Sequence, residues 1–116
     1  MDAKSDASSL FVYGALLRED TVRELLGRDV ASAPAQLSNY ERGRARYFFI
    51  RPSKGASVDG RLLLGLTAAD FVILDAFEQV PRLYTRERLK VSDAAGAAVN
   101  CWVYLPSGWE RAGSVR

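Results

Sequence analysis

Residues 67–91 restrict the possible folds of this chain more than any other stretch, because they specify a capped helix, a stop and a strand in succession. Thr67, followed three residues later by Asp70, forms the capping-box pattern that starts a helix. Apolar residues at helical spacing follow, and Pro81 keeps the residue before it out of the helical region. The sequence therefore predicts a helix that begins after Thr67 and ends around Glu78.

The alternation of residues after that helix is typical of a strand, and short apolar runs bounded by Gly or Pro are a second strand signal. Together these signals predict strands at residues 9–13, 33–40, 47–50, 58–66, 84–91 and 99–105. A cap at Asp20 and a stop at Gly27 predict a first helix at residues 20–26. A basic linker at residues 41–46 and a turn at residues 53–57 are expected to separate the middle strands. Gly60 indicates a bulge or a close backbone approach. These elements make an α+β fold of about six strands and two helices.

The absence of histidine from the 116 residues limits the chemistry that this chain can perform. Ser-His-Asp triads, Cys-His dyads and histidine-based zinc sites are excluded. A single cysteine excludes an internal disulfide and thiolate zinc clusters. That residue, Cys101, lies on the apolar face of a predicted strand, where we expect a core side chain rather than a nucleophile. Acid–base chemistry would fall to a carboxylate, a tyrosine, a lysine or the thiol.

The charge pattern gives little support for a nucleic-acid partner. The formal net charge of +2 is too small to indicate one. Arginines beside an aromatic run could form an RNA-binding strand face. The arginines are Arg42, Arg44, Arg46 and Arg51, and the aromatic residues are Tyr47, Phe48 and Phe49. Strand alternation turns Phe48 away from its two neighbours, so at least one face must be core. We expect these arginines to be solvated and no nucleic acid to bind.

The ends of the chain and its apolar runs favour a single domain without a membrane span. No apolar run approaches the 18 residues that such a span needs. Residues 1–8 lack the apolar segment of a signal peptide and are expected to be a disordered tail. Residues 9–116 are expected to form the single domain, as a cytoplasmic monomer.

Glu78 is the candidate acid–base residue, because three effects are expected to raise its pKa. It lies at a helix C-terminus, where the helix dipole disfavours a negative charge. Asp75, one turn earlier, adds a like charge, and the apolar neighbours Phe77 and Val80 can desolvate the carboxyl group. A carboxyl group with a pKa near neutrality can both accept and donate a proton. From these residues alone, a solvated glutamate at a fraying helix end remains the alternative.

The segment Tyr13-Gly14-Ala15-Leu16 is the candidate binding loop, because it directly follows an apolar strand. Gly14 permits a sharp turn, which could require a positive φ. Consecutive backbone N–H groups in such a turn can form an anion-binding concavity. A plain strand-to-helix turn is the alternative interpretation.

These two regions together resemble the gamma-glutamylcyclotransferase-like (AIG2-like) family. The similarity rests on Leu74-Asp75-x-Phe77-Glu78, then Tyr84-x-Arg86 and a strand, together with the Tyr-Gly-x-Leu loop near the N-terminus. It extends from about residue 10 to residue 105. The chain departs from the family at Ala15, where Ser or Thr is usual. The spacing from Phe77 to Tyr84 is most similar to the branch that acts on gamma-glutamylamines.

The resemblance implies a small, mostly antiparallel, barrel-like sheet with two flanking helices, and a cyclisation that needs no metal or cofactor. The substrate would be a gamma-glutamyl compound, and the products would be 5-oxoproline and a free amine or amino acid. Glu78 would transfer the protons. Tyr13, Gly14, Ala15, Leu16, Tyr84 and Arg86 would contact the substrate, although Arg86 is equally suited to bracing its strand. A non-catalytic module that binds a small metabolite is the alternative, and Ala15 is the residue that favours it.

Overall fold

The sheet of this protein closes on itself. The computed structural model describes residues 4–108, in which five strands form a closed barrel in the order β1-β3-β2-β4-β5. The elements are β1 (Lys4–Val12), a short 3-10 helix (Ala15–Leu17), α1 (Glu19–Leu26), β2 (Ser32–Arg44), β3 (Phe48–Leu63), α2 (Ala68–Phe77), β4 (Tyr84–Asp93) and β5 (Ala98–Pro106). Only the β1–β5 pair is parallel among the described strands. The predicted α+β class, with a mostly antiparallel barrel and two helices, is confirmed.

The barrel has five strands rather than about six, because two predicted strands are parts of one. β3 continues through the expected turn at residues 53–57, and β2 continues through the expected linker as far as Arg44. Between the pairs Ser38↔Ser57 and Tyr40↔Pro52 the register shifts, so the turn residues form a bulge instead of a reversal. Asn39 supports the bulge with a φ of 65° and a side-chain oxygen that accepts a hydrogen bond from the Gly55 amide.

The first strand also begins earlier than predicted. β1 starts at Lys4 and not at Ser9, so residues 4–8 of the expected tail belong to a strand. Lys4 and Ser5 pair with β5, and this parallel pairing helps to close the barrel. Backbone hydrogen bonds do not depend on the side chains, so the polar sequence there gave no strand signal. Residues 1–3, which belong to the expected tail, and residues 109–116, which belong to the expected domain, lie outside the described residues.

Two apolar clusters occupy the two faces of the sheet. One fills the barrel with alternate residues of all five strands, including Phe11, Ile50 and Cys101. Cys101 is fully buried, as expected for a core residue. The other cluster lies between the outer face of the barrel and the helices, and it includes Leu10 and Phe71. No helix in the described part of the chain is long and apolar enough to cross a membrane.

Gly60 on β3 packs against β1 so closely that a side chain would not fit. A Cβ atom placed there would lie 2.3 Å from the carbonyl oxygen of Val12 and 2.7 Å from the Phe11 ring. The predicted close backbone approach is confirmed. This contact fixes the end of β1, from which the next residue, Tyr13, extends.

The start of α2 is fixed by the predicted capping box and by a salt bridge. Thr67 Oγ1 accepts from the Asp70 amide at 3.1 Å, and Asp70 Oδ2 accepts from the Thr67 amide at 2.9 Å. The Arg28 guanidinium, from the segment after α1, donates to both Asp70 oxygens at 2.8 and 2.6 Å. These bonds hold the pKa of the buried Asp70 well below its usual range, and the bonds from Arg28 contribute most to this shift.

We expect Asp70→Asn to lower the free energy of unfolding by roughly 1–2 kcal/mol at pH 7, because the ionic hydrogen bonds to Arg28 are lost. Because the pKa of Asp70 is lower in the folded state, the ionised carboxylate stabilises the fold at pH values above the unfolded pKa of about 3.9. This stabilisation is lost as the pH falls below that value. Urea unfolding of both proteins at pH 7 and pH 3 should therefore show a difference that shrinks in acid. Asp20→Asn, in an exposed ion pair on α1, is the control and should cost less than about 0.5 kcal/mol. An equal loss at both pH values would contradict the ionic role of Asp70.

Candidate active site

One cavity of about 400 Å³ opens at the rim of the barrel. Its wall is built from the end of β1, the 3-10 helix, the β2–β3 hairpin, the end of α2 and the start of β4. Six of the seven predicted site residues line it: Tyr13, Gly14, Ala15, Leu16, Glu78 and Tyr84. Two segments more than 60 residues apart in the sequence therefore share one cavity, as expected, and Arg86 is not part of its lining.

Glu78 is held at the cavity by the way α2 ends. It is the C-cap residue, and the next two amides turn back into the helix: Gln79 N–H donates to the Ala76 carbonyl at 3.1 Å, and Val80 N–H donates to the Asp75 carbonyl at 3.0 Å. This pair of bonds is a Schellman motif. The motif places Gln79 at a φ of 56°, where glycine is the usual residue. The chain thus leaves the helix abruptly and leaves the Glu78 side chain facing the cavity.

Burial raises the pKa of Glu78 to about 7. Desolvation disfavours the charged form of a carboxyl group, so the shift has the predicted direction. The like charge of Asp75 was expected to contribute, and this expectation was wrong. Asp75 is already bound by Arg86, with Nε–Oδ1 at 2.9 Å, and by the Tyr104 hydroxyl at 2.7 Å. The Glu78 carboxyl group is therefore poised to exchange a proton near neutral pH.

Three tyrosines surround this carboxyl group in fixed positions. The Tyr13 hydroxyl donates to the Tyr104 carbonyl oxygen at 2.5 Å, and the Tyr84 hydroxyl donates to the Phe48 carbonyl oxygen. Burial is the main effect that raises the pKa of all three phenols, and it raises the pKa of Tyr84 to about 12. Asp75 adds to the shift at Tyr104, and the charge of Glu78 adds to the shift at each of them. These phenols stay neutral at physiological pH. Their protons are engaged, so towards a ligand each phenol oxygen acts as an acceptor.

The binding loop uses glycine for space and not for a positive φ. Gly14 has a φ of −138°, which corrects the expectation of a left-handed turn. A Cβ atom at Gly14 would lie 3.0 Å from the Phe48 side chain, so glycine lets the loop lie against the β2–β3 hairpin. Within residues 4–108, no acceptor receives a hydrogen bond from the amides of Ala15 or Leu16, which begin the 3-10 helix. Such amides are available to an anionic ligand.

Arg86 braces the barrel against α2. Besides its bonds to Asp75, its guanidinium contacts two aromatic rings, 4.4 Å from the centre of Phe71 and 4.3 Å from that of Trp102. An arginine that is bound to a carboxylate and packed against two rings has little left for a ligand. Of the two roles left open by the sequence, the structure supports the brace and not the contact with a substrate carboxylate.

Sequence reasoning did not assign several lining residues to the site, among them Tyr104, Arg44 and Arg46. Tyr104 was not predicted as a site residue, and it is buried in the apolar cluster that includes α2. Arg44 and Arg46 are exposed, as expected, and both also line the cavity. A prediction that the β2–β3 hairpin packs against the loop at residues 13–16 would have indicated the two arginines, because Phe48 beside them contacts that loop.

The model of the family described as "Gamma-glutamyl cyclotransferase, AIG2-like" matches residues 10–115 of the chain. The chain belongs to the AIG2-like gamma-glutamyl cyclotransferase family. Among relatives, AIG2-like protein D of Arabidopsis thaliana is 41% identical over 87 residues, covering 72% of this chain and 55% of the relative. A protein of Methanocaldococcus jannaschii, named "gamma-glutamylcyclotransferase and putative RNase", is 26% identical, covering 88% of this chain and 47% of the relative. The chain thus spans about half the length of these curated relatives.

Two solved structures share this fold. A solution structure of an Arabidopsis thaliana protein matches with a TM-score of 0.79 and 23% identity, covering 95% of this chain and 68% of the other. A structure titled "Gamma-glutamyl cyclotransferase" matches with a TM-score of 0.77 and 19% identity, covering 88% of this chain and 68% of the other. At these identities the likeness concerns the fold alone.

Proposed function

We propose that this protein converts a gamma-glutamyl compound into 5-oxoproline and a free amine or amino acid, with Glu78 as the proton shuttle. The observation that carries the proposal is a carboxyl group with a pKa raised to about 7, in the same cavity as a loop with available amides. Membership of a family described as gamma-glutamyl cyclotransferases supports this reaction over others.

The reaction is an internal displacement at the gamma-carbonyl carbon of the substrate. The carboxylate of Glu78 takes one proton from the alpha-ammonium group, and the freed amine attacks that carbon to form the new C–N bond. The scissile C–N bond then breaks, and its electron pair leaves with the departing nitrogen. That nitrogen takes the proton held by Glu78, and the ring nitrogen gives up its second proton through the same carboxylate. The amine departs as an ammonium ion, so atoms and charge balance.

The cavity wall would position the substrate for this attack. The attacking and reacting groups belong to one molecule, so the enzyme mainly has to hold the glutamyl chain in its cyclising conformation. Amides of Ala15 and Leu16 would hold the glutamyl carboxylate or the developing oxyanion. The oxygen atoms of Tyr13 and Tyr84 would accept from the ammonium group. In these assignments the amides act only as hydrogen-bond donors and the tyrosine oxygens only as acceptors.

Incubation of the purified protein with gamma-glutamyl amines, gamma-glutamyl amino acids and glutathione tests this proposal. Mass spectrometry should detect 5-oxoproline from at least one compound. Ala15, which replaces the usual hydroxyl residue of the loop, favours a second candidate, a non-catalytic module that binds such a metabolite. Calorimetric binding without any 5-oxoproline would support that module and reject the enzyme.

We expect Ala15→Thr to change the rate of 5-oxoproline formation by tenfold or less. The loop would act through its backbone, so an added hydroxyl group gains or loses about one hydrogen bond. Ala15 is exposed, and the fold should survive with a similar melting temperature. Ala15→Ser, which adds the hydroxyl without the methyl group, is the matched control. Complete loss of activity in both variants would show that the small side chain is itself required.

A further inference from the structure

Two arginines of the β2–β3 hairpin lie at the solvent side of the cavity. Arg44 is the last residue of β2, and Arg46 follows in the turn. Both are exposed and both line the cavity, whereas Tyr13 and Leu16 form a buried part of the wall. The opening of the cavity therefore carries two positive charges, and its lining includes a single acidic residue, Glu78.

Neither arginine has an acidic partner within residues 4–108, unlike several other arginines of the chain. Arg28 is bound to Asp70, Arg51 to Glu41 and Arg86 to Asp75. The lining arginines instead contact aromatic rings. The guanidinium of Arg44 lies 5.0 Å from the centre of the Phe48 ring, and that of Arg46 lies 5.8 Å from the centre of the Tyr47 ring. Such stacking orients a guanidinium while leaving its N–H groups free for a carboxylate.

Arg42, on the same hairpin, has a structural role that Arg44 and Arg46 lack. Arg42 contacts the Phe48 ring at 5.4 Å, and it also donates to the Tyr13 carbonyl oxygen at 2.9 Å. It thereby ties the hairpin to the binding loop, and it does not line the cavity. Arg44 and Arg46 have no comparable hydrogen bond in the described part of the chain, so the hairpin offers their N–H groups to whatever enters the cavity.

We propose that Arg44 and Arg46 form a subsite for a carboxylate on the departing amine, so that the preferred substrates are gamma-glutamyl amino acids or peptides. This inference rests on the proposed function. The loop amides already serve the glutamyl portion, which leaves the outer arginines for the portion that departs. Two guanidinium groups that line one cavity attract a carboxylate through charge-assisted hydrogen bonds and repel a cationic amine. The preference is opposite to that implied by the similarity of residues 77–84 to the gamma-glutamylamine branch.

A pair of matched substrates isolates the carboxylate. Gamma-glutamyl-L-alanine and gamma-glutamylethylamine differ only in that group, so their kcat/KM ratio measures what the carboxylate contributes. We expect the wild-type protein to prefer the alanine compound at least tenfold. The double variant Arg44→Gln/Arg46→Gln should lose at least tenfold on that compound and less than threefold on the ethylamine compound. Arg51→Gln, the same change at an arginine of β3 outside the cavity, should alter neither.

Equal losses on both substrates would overturn the subsite, because the arginines would then serve the shared glutamyl portion or the fold. An unchanged preference in the double variant would overturn it as well. If neither substrate yields 5-oxoproline, the proposed reaction fails, and calorimetry with the same two compounds still tests the subsite. Tighter binding of the alanine compound, lost in the double variant, supports it, and equal or absent binding of both compounds rejects it.

Discussion

Glu78→Gln should reduce 5-oxoproline formation by at least about 10²-fold, the range expected when a general acid–base residue is removed. Glutamine has nearly the size of glutamate but cannot exchange a proton at neutral pH. The binding of substrate should change far less than kcat, because the loop amides and the tyrosines are untouched. Glu24→Gln, an exposed position on α1 outside the cavity, is the matched control and should retain full activity.

The Glu78→Gln variant should be more stable than the wild type at pH 8. Burial raises the pKa of Glu78 to about 7, above the unfolded value of about 4.3. The folded state therefore binds more protons, and the wild-type protein loses stability as the pH rises from about 4 through 7. Glutamine removes this loss, so the melting temperature of Glu78→Gln should exceed that of the wild type at pH 8 by several degrees, with a smaller gap at pH 5. An activity loss accompanied by a lower melting temperature would indicate a structural role for Glu78.

Asp75→Ala should lower the free energy of unfolding by about 3 kcal/mol, since it leaves a partly buried arginine and a tyrosine hydroxyl without their acceptor. Asp75 accepts from both Arg86 and Tyr104, and its side chain is 29% exposed. Chemical denaturation at pH 7 measures the loss. Because the carboxylate lies behind the cavity wall, kcat/KM of the folded fraction should fall through displacement of Tyr104 rather than through a change in the pH profile.

A compensating variant separates packing from charge in this cluster. Asp75→Leu with Arg86→Met replaces the ion pair by apolar groups of similar length, and such replacements are often neutral in buried positions. We expect it to recover most of the stability that Asp75→Ala loses. If Asp75→Leu/Arg86→Met remains as unstable as Asp75→Ala, the aromatic stacking of Arg86 on Phe71 and Trp102, and not its ion pair, supports α2.

Local signals in the sequence located most of the elements that form the site. The capping box at Thr67 and the end of α2 at Glu78 depend on neighbouring residues only, and both were predicted correctly. The alternation in β5 likewise placed Cys101 in the core. The turn predicted at residues 53–57 was wrong, because these residues form a bulge that depends on Asn39 in the partner strand. A contact between two neighbouring strands of this kind cannot be predicted from a short stretch of sequence.

The missed cavity residues have a related cause. Arg44 and Arg46 lie at the cavity because Phe48 contacts Gly14, and this contact joins the β2–β3 hairpin to a loop distant in the sequence. Arg86 does not line the cavity, because its guanidinium is paired with Asp75 on α2. Residue type and spacing therefore identified the candidate carboxyl group and the candidate loop. The neighbours of each side chain depend on the strand order β1-β3-β2-β4-β5, which the chain's local patterns do not specify.

The pH dependence of 5-oxoproline formation is the most direct test of Glu78 as proton shuttle. The carboxylate must be ionised to accept the first proton, so kcat/KM of the wild-type protein should rise between pH 5 and pH 8 with an inflection near the Glu78 pKa of about 7. The residual activity of Glu78→Gln should lack this inflection. A wild-type profile that is flat over this range, or an inflection that persists unchanged in Glu78→Gln, would contradict the assignment.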